Sequence, residues 1–305
     1  MIDIKLLEQL CLCNGISGDE GNVRNLIINE IKDCADDIKT DNLGNLIVFK
    51  KGKKSAKSKL MVSAHMDEVG LMVTDITSDG YLKFDEVGGI DRRVLPGKRV
   101  CVGRNGLNGV IGVKPIHLTN GDEKTAVPKM NDMYIDIGAE SREDALKYVN
   151  YGDGINFEGD FKINGKTVVT KALDDRFGCY VLINLIKSEP EYDMYFTFVV
   201  QEEVGLRGAR PAAFTVNPDF ALVIESTTAA DVAEVDASHQ VCNLSKGATV
   251  TVMDRATVYD KEMISAAFEL AEKNNIAVQY KRAVAGGNDS GAIHQSRGGV
   301  RTLAV

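Results

Sequence analysis

The chain has 305 residues, of which 44% are hydrophobic and 26% are charged, and its formal net charge at pH 7 is -8. This length allows a large hydrophobic core, and no run reaches the roughly 18 apolar residues that a membrane helix needs. The excess of acidic residues disfavours binding to the phosphate backbone of nucleic acids. We therefore expect a globular protein with neither a membrane nor a nucleic acid as its partner.

The cysteines and the N-terminal sequence indicate the cellular compartment. The six cysteines show no C-x-x-C pair and no regular spacing, which argues against a disulfide framework and against a structural zinc site. The opening sequence MIDIKLLEQLCLCNG has acidic residues among its apolar ones and does not resemble a secretory signal. Together these features predict a cytoplasmic protein.

The first predicted helix begins at Ser17, because Ser17 and Glu20 have the spacing of a capping box. Apolar residues then recur at helical spacing on one face, at Val23, Ile27, Ile31 and Cys34. Two further helices are predicted at 175–187 and 260–274, and the second of these begins with an aspartate cap. We expect all three helices to pack against a core.

Short apolar runs predict strands at 45–49, 60–64, 195–200, 220–224 and 278–284. Because helices alternate with these runs, we predict an α/β fold with a mostly parallel sheet flanked by helices. The stretch 68–159 differs, since glycines interrupt its short apolar pieces, and it predicts a compact insert of antiparallel strands. The α/β catalytic domain is then discontinuous and comprises residues 1–67 and 160–305.

Polar side chains follow four of these runs, at His65 and Asp67, Glu202 and Glu203, Glu225, and Asn288 and Asp289, and they also follow the apolar run VVTKAL, at Asp174 and Asp175. Because the carboxyl ends of parallel strands form one edge of a sheet, these segments are expected to meet in one cleft. One histidine among many carboxylates suits a divalent metal, and carboxylates can bridge two ions ~3.5–4 Å apart. Metal ions also offset the repulsion among the acids.

Two pairs of neighbouring residues suggest roles within such a site. Asp67 can accept a hydrogen bond from the free ring N–H of His65 and so fix the tautomer that binds metal. Glu202 and Glu203 can serve one site only if the chain bends after them, and the glycines of EEVGLRG allow such a bend. One glutamate can then bind metal while the other takes a proton from an activated water.

Six motifs in this order, SAHMDEVG, VGGIDRRVLPGKRV, ALDDRFG, QEEVGLRGA, IESTTAAD and GGNDSGAIH, resemble the M42 family of metallo-aminopeptidases over nearly the whole chain. The resemblance implies two divalent ions per subunit, zinc or cobalt, bridged by Asp174. It implies that one ion is also bound by His65 and Glu225 and the other by Glu203, with Glu202 as the general base. It further implies a small β-barrel insert used in assembly, and homo-oligomers, hollow dodecamers, that remove N-terminal residues from short peptides.

One departure from the family leads to an alternative hypothesis. Family members continue past the segment matching VRTLAV with an R-Y-x-H stretch, whose histidine completes the shell of the second metal, whereas this sequence ends at Val305. The alternative is therefore a truncated, catalytically impaired subunit that keeps the fold but not a complete second metal site.

Three smaller alternatives stay open. His294 is either a replacement ligand or a residue that packs beneath the GGNDSG loop. Asn288 and Asp289 either line the pocket for the substrate's amino terminus or cap the next helix. The acid pairs alone also allow a glycan hydrolase, which would need two carboxylates beside a sugar cleft and no metal.

Overall fold

A computed structural model of the chain describes residues 3–305. The helices of this part are α1 (Ile4–Leu12), α2 (Gly21–Ile31), α3 (Arg142–Ala145), α4 (Leu173–Lys187), α5 (Ala209–Val216), α6 (Lys261–Lys273) and α7 (Ser290–Ile293). The strands are β1 (Asp37–Thr40), β2 (Leu46–Lys50), β3 (Leu60–His65), β4 (Gly70–Ile76), β5 (Leu82–Val87), β6 (Arg99–Val102), β7 (Leu107–Val113), β8 (Met133–Asp136), β9 (Gly154–Phe157), β10 (Lys162–Asn164), β11 (Thr167–Val169), β12 (Met194–Val199), β13 (Phe220–Val223), β14 (Ala248–Val250), β15 (Val278–Tyr280) and β16 (Arg301–Ala304). None of these helices is long and apolar enough to cross a bilayer.

The described residues form two compact units. The first comprises the residues up to Cys13, Glu20–Met66 and Ala172–Val305, and the second comprises Asn14–Asp19 and Asp67–Lys171. The insert predicted at 68–159 lies within the second unit. That unit also includes the β10–β11 hairpin and Lys171, whose ammonium pairs with Glu68 Oε1 at 2.8 Å.

The first unit contains a six-stranded sheet with the order β1-β2-β12-β3-β13-β16. The last four strands run parallel, while β2 is antiparallel to both β1 and β12. Every residue of β3 after Leu60 is buried, as is typical of a central strand with both faces covered. Helix α4 packs on β3, α5 on β12, and α7 on β13 and β16. The predicted α/β class, with a mostly parallel sheet flanked by helices, is confirmed.

Four of the five predicted strands lie in this sheet as β2, β3, β12 and β13. The prediction of a strand at 278–284 is wrong in extent and in partner. Only Val278–Tyr280 pairs, with β14, in a separate two-stranded parallel sheet. The chain then turns toward Gly286, whose positive φ of 66° suits a loop, so the apolar run does not continue as a strand.

Of the two helix caps predicted at Ser17 and Asp260, the first is wrong and the second is confirmed. The capping box at Ser17 is wrong, because α2 begins at Gly21 after Glu20. The Ser17 hydroxyl instead donates to Asp67 Oδ2 at 2.6 Å. The predicted cap of α6 is confirmed, since the carboxylate of Asp260 accepts from the backbone N–H of Met263 at 3.0 Å. The apolar face of α2 is buried as predicted, at Val23, Ile27 and Ile31.

The second unit is built on a closed antiparallel barrel with the order β4-β5-β8-β7-β6-β9. Alternate side chains fill its interior, among them Leu71, Val100, Ile111, Ile135 and Ile155, each at most 1% exposed. Closure removes free strand edges, which short glycine-interrupted strands would otherwise leave unpaired. The small β-barrel expected from the family resemblance is therefore present.

We predict that Phe198→Ala lowers the free energy of unfolding by roughly 3–5 kcal/mol, because it leaves a cavity in the sheet core. Phe198 lies on β12 and is fully buried. The matched control is Phe214→Ala on α5, since Phe214 is 56% exposed and should cost about 1 kcal/mol or less. Urea unfolding followed by circular dichroism measures both values, and equal losses would contradict the placement of Phe198.

Candidate metal centre

His65 is the central residue of the site. It ends β3, and its side chain is 1% exposed. Its backbone N–H donates to Asp175 Oδ2 at 3.2 Å, and its carbonyl accepts from the Cys179 thiol at 3.0 Å. Because the first turns of α4 hold both backbone groups, the imidazole projects from a fixed point at the carboxyl end of the parallel strands.

Two carboxylates lie beside the imidazole on elements distant in sequence. Asp174 Oδ1 is 3.2 Å and Glu225 Oε1 is 3.3 Å from His65 Nε2. Asp174 opens α4 with a non-helical backbone, and its peptide bond to Asp175 is cis. Glu225 follows β13 by two residues, and its backbone N–H donates to the carbonyl of Val305 at 3.0 Å.

Five acidic or imidazole side chains converge on this edge of the sheet. In each of two groups the candidate ligand atoms lie within 4.8 Å of one another: His65, Asp174 and Glu225, and His65, Glu202 and Glu203. The second oxygen of Glu225, Oε2, is buried and has no hydrogen-bond partner among the described residues. Such an oxygen suits a cation, because a buried acceptor without a partner is costly.

The chain reverses direction directly after Glu202 and Glu203. The backbone N–H groups of Gly205 and Leu206 both donate to the carbonyl of Glu202, each at 2.9 Å. Gly205 has a φ of 112°, which a residue with a Cβ rarely adopts. The predicted bend is therefore present, and it lets neighbouring side chains serve one site.

Asn45 fixes the end of this turn. Its Oδ1 accepts from the backbone N–H of Val200, and its Nδ2 donates to the carbonyl of Gly208, both at 2.9 Å. A Cβ on Gly208 would lie 2.3 Å from the carbonyl oxygen of Val200, so this glycine is needed for space. Asn45 is fully buried. The turn is thus tied to Asn45, the residue directly before β2.

Burial raises the pKa of Glu202 to about 9. The positive charge of His65 opposes this rise, while the carboxylates of Asp289, Glu225 and Glu203 add to it. Glu202 is half-buried, and desolvation disfavours its charged form. Without a cation, this carboxyl therefore holds a proton at neutral pH.

Burial also raises the pKa of Glu225, to about 7, although His65 lowers it. Asp175 is fully buried, and its pKa is raised well above the usual value, first by burial and then by Glu225. Because several negatively charged carboxylates are buried together away from water, protons or cations must neutralise part of their charge.

The carboxylates line a cavity with a volume of about 230 Å³. Four acidic residues line it, Asp174, Glu202, Glu203 and Glu225. Thr249, Thr251, Lys281 and the Ala285–Asn288 loop also line it. The cavity lies within the first unit and gives the acids a space in which a ligand can bind.

Two residues that the sequence singled out, Asp67 and His294, have surroundings that differ from those of the candidate ligands. Asp67 belongs to the second unit, where it is fully buried and accepts from Ser17; its role as the acceptor for the His65 ring stays a prediction. His294 ends α7, and its Nδ1 lies 2.7 Å from the carbonyl oxygen of Ser290. His294 is in neither of the two ligand groups that the described residues form.

Asn288 bonds to the start of α7 and lines the cavity, while a role at the substrate's amino terminus stays a prediction. Its Oδ1 accepts from the backbone N–H of Ser290 at 2.9 Å at the start of α7, and Asn288 also lines the cavity. The hydroxyl of Tyr259 fixes the side-chain amide of Asn288, because Asn288 Nδ2 donates to this hydroxyl at 3.1 Å. Asp289 is fully buried, and its charge acts on Glu202.

Sequence reasoning missed four residues that line or support the site. Lys281, Thr249 on β14 and Thr251 directly after β14 were not considered, because they follow no strand of the main sheet. Arg176 was also missed, although its ALDDR context was in view: it is fully buried and its Nε donates to the carbonyl of Met66 at 2.7 Å. Of these residues, only Arg176 could have been identified from the sequence, because it is a charged residue within an apolar helix face.

Comparisons with known proteins agree on one family. The model of the M42 glutamyl aminopeptidase family matches residues 44–305. A putative aminopeptidase of Acetivibrio thermocellus is 44% identical over 98% of this chain and 88% of its own length. The lysyl aminopeptidase of Pyrococcus furiosus is 33% identical over 100% of this chain and 88% of its own length.

Solved structures give the same result. The TET1 peptidase of Pyrococcus horikoshii, which can assemble into a tetrahedron or a large octahedral shell, matches with a TM-score of 0.85 and 40% identity, over 99% of this chain and 89% of its own. A protein of Thermotoga maritima named endoglucanase matches with a TM-score of 0.81 and 38% identity, over 98% of this chain and 86% of its own. Fold, motif order and sequence similarity coincide over nearly the full length. The chain therefore belongs to the M42 family of aminopeptidases.

Proposed function

We propose that this protein is a metal-dependent aminopeptidase that removes N-terminal residues from short peptides. The observation that carries the proposal is the convergence of two groups of acidic side chains on His65, with Asp174, Glu202, Glu203 and Glu225 also lining one cavity. Imidazole nitrogen together with carboxylate oxygen is the donor set of catalytic zinc and related divalent ions. Family membership supports a peptidase, and the names of the curated relatives support cleavage at the amino terminus.

The proposed ligands are those expected from the sequence. His65, Asp174 and Glu225 would hold one divalent ion, and Glu203 with Asp174 would hold a second, either of them zinc or cobalt. The buried Oε2 of Glu225, which has no hydrogen-bond partner among the described residues, supports its part in this set. Divalent ions in this position would polarise the scissile carbonyl and lower the pKa of a water molecule.

Glu202 is the proposed general base. It is half-buried beside Glu203, and burial raises its pKa, which increases its affinity for a proton. It would take a proton from the attacking water and deliver it to the nitrogen of the leaving peptide. Because Glu202 also lies within reach of His65 and Glu203, its role as a base rather than a ligand needs a direct test.

The proposal extends to assembly and location. Assembly into a homo-oligomer is supported by the 40% identity to a TET1 peptidase that forms closed shells. A cytoplasmic location is supported by the six cysteines, since none of them forms a disulfide within the described residues. Short peptides are the proposed substrates.

We predict that Glu202→Gln lowers kcat for leucyl-p-nitroanilide by roughly 10²–10⁴-fold while metal content stays within about 10% of the unmodified protein. Glutamine keeps the size of the side chain but cannot accept the proton. Steady-state kinetics and elemental analysis measure the two quantities. The control is Glu269→Gln on the exposed face of α6, which should change neither. Loss of metal in Glu202→Gln would make Glu202 a ligand instead of the base.

We predict that the purified protein binds about two divalent ions per chain, and that removing them with a chelator abolishes peptide hydrolysis. Elemental analysis and re-addition of zinc or cobalt measure this. A stoichiometry near one would favour the impaired subunit that lacks a complete second site.

The same chelation experiment tests a second candidate function. Glycan hydrolysis is favoured by the acid pairs and by the name endoglucanase of one similar structure. A carboxylate-pair glycosidase needs no metal. Full hydrolysis of a β-glucan in chelator, without peptidase activity in metal, would replace the aminopeptidase proposal.

We predict that the metal-free protein loses stability as the pH rises from about 5 to 9. Glu202 and Glu225 have pKa values of about 9 and 7 in the fold against a usual 4.5, so the folded state keeps protons that the unfolded chain releases. Their contribution is complete below pH 4.5 and is lost through these two pKa values. Thermal unfolding should show a fall in Tm of roughly 5 °C or more across this range. Saturating zinc should remove most of this slope, and an equal slope with and without metal would contradict the prediction.

A further inference from the structure

We propose that the side-chain amide of Asn288 donates a hydrogen bond to the oxygen of the scissile carbonyl as this oxygen becomes negatively charged. Tyr259 and Asp254 act through Asn288, because they hold its amide in the orientation that this role requires. The inference rests on the proposed aminopeptidase function, since it assigns a further residue to the reaction in that same cavity.

The start of α7 fixes which way round the amide of Asn288 lies. The backbone N–H of Ser290 needs an acceptor, so the amide atom 2.9 Å from it is the oxygen Oδ1. The nitrogen Nδ2 is then the atom that donates to the Tyr259 hydroxyl at 3.1 Å. Asn288 is 4% exposed, and a flipped amide would bring two buried N–H groups against each other.

Asp254 sets the direction of the hydrogen bond between Tyr259 and Asn288. The Tyr259 hydroxyl has one hydrogen, which it donates to Asp254 Oδ2. Asp254 Oδ1 accepts from the backbone N–H groups of Ala256 and Thr257, each at 2.8 Å. Burial raises the pKa of Tyr259, and the hydrogen bond to Asp254 adds to this rise, so the phenol keeps its hydrogen. Its oxygen is therefore an acceptor toward Asn288.

One donor of this network remains for a ligand. Nδ2 of Asn288 carries two N–H groups, and the Tyr259 oxygen accepts one of them. The second N–H meets no acceptor among residues 3–305. Asn288 lines the same cavity as the candidate metal ligands. A spare N–H there suits a carbonyl oxygen and repels the positively charged amino group of a peptide.

The loop that carries Asn288 is held by the segment 254–257. The backbone N–H of Arg255 donates to the carbonyl of Gly286 at 3.0 Å. A Cβ on Gly291 would lie 2.7 Å from the Cβ of Ala256, so the chain on the other side of Asn288 packs closely on the same segment. A donor fixed in this way needs little reorganisation when charge develops on the substrate.

Asn288 also lies next to a residue that acts on the proposed general base. Burial is the main cause of the raised pKa of Glu202, and the charge of Asp289 adds to it. When water loses its proton to Glu202 and attacks the carbonyl carbon, the electron pair of the C=O bond moves to the oxygen. An N–H bond to this oxygen is then stronger than in the bound substrate, which raises kcat.

The first test is steady-state kinetics with leucyl-p-nitroanilide. Asn288→Ala should lower kcat roughly 10²-fold, the loss expected when one such donor is removed, and should change KM less than about threefold. Tyr259→Phe keeps the amide but no longer fixes it, and it should lower kcat about tenfold. Tyr280→Phe is the matched control, because Tyr280 is 51% exposed, and it should change neither value.

Two kinetic outcomes would contradict the inference. A higher KM with unchanged kcat in Asn288→Ala would show that Asn288 binds the substrate before the reaction, for example at its amino group. An unchanged kcat in Tyr259→Phe would show that the phenol does not position the amide. If Asn288→Ala does not fold, Asn288→Asp takes its place, since it keeps the acceptor for Ser290 and removes the N–H groups.

A binding measurement separates the inference from the proposed function. The phosphonic acid analogue of L-leucine carries a tetrahedral anion in place of the carbonyl, whereas L-leucinamide keeps the carbonyl. In saturating zinc, the phosphonate should raise the Tm of the unmodified protein more than L-leucinamide does. Asn288→Ala should reduce this excess and leave the protection by L-leucinamide unchanged.

This measurement decides the role of Asn288 even without turnover. If the unmodified protein hydrolyses no aminoacyl substrate, the proposed function fails, while the difference between the two compounds still reports on the amide. Protection by the phosphonate that survives Asn288→Ala, or an equal loss of protection by both compounds, would overturn the inference.

Discussion

Mutual repulsion of carboxylates around one buried imidazole is the constraint on which the site depends. His65 is 1% exposed and has Asp174 and Glu225 within 3.3 Å of its Nε2. Burial raises the pKa of Glu202 and of Glu225, so the acids cannot all be charged without a compensating cation. Bringing these acidic groups together therefore lowers the stability of the folded state unless a bound cation offsets their repulsion. That cost is the physical reason to regard the edge as a metal centre.

The fold opposes the repulsion with fixed backbone geometry. Arg176 is fully buried and donates to the carbonyls of Met66, Leu10 and Cys13 at 2.6–2.7 Å. These contacts tie the end of α1 and the residue after His65 to α4. Asp175 accepts a hydrogen bond from the backbone N–H of His65. The two charged residues after Asp174, Asp175 and Arg176, therefore stabilise the local backbone. These hydrogen bonds hold the backbone from which the imidazole projects.

Part of this site could be predicted from the sequence, because several of its residues lie at strand ends that local sequence patterns reveal. His65, Glu202 and Glu225 each follow a strand of the parallel sheet, and strand ends can be found from apolar runs. The same rule pointed to Asp174, although this residue opens α4 and does not end a strand of the main sheet. Ser17 was misassigned because its hydroxyl donates to a residue fifty positions away, a contact that no local pattern shows. Lys281 was missed for the same reason, as its place in the cavity depends on the pairing of two three-residue strands.

The two parts of the cavity lining differ in how the fold holds them. The carboxylates proposed as ligands follow β12 and β13 or open α4, and Asn45 and Arg176 fix the neighbouring backbone through buried hydrogen bonds. Thr249 lies on β14, and Thr251 and Lys281 directly follow β14 and β15. The backbone N–H of Thr251 donates to the carbonyl of Ala304 on β16 at 3.1 Å, so this hydrogen bond joins the small sheet to the main sheet. A substitution of the Lys281 side chain would change the charge of the cavity lining and leave these backbone hydrogen bonds in place.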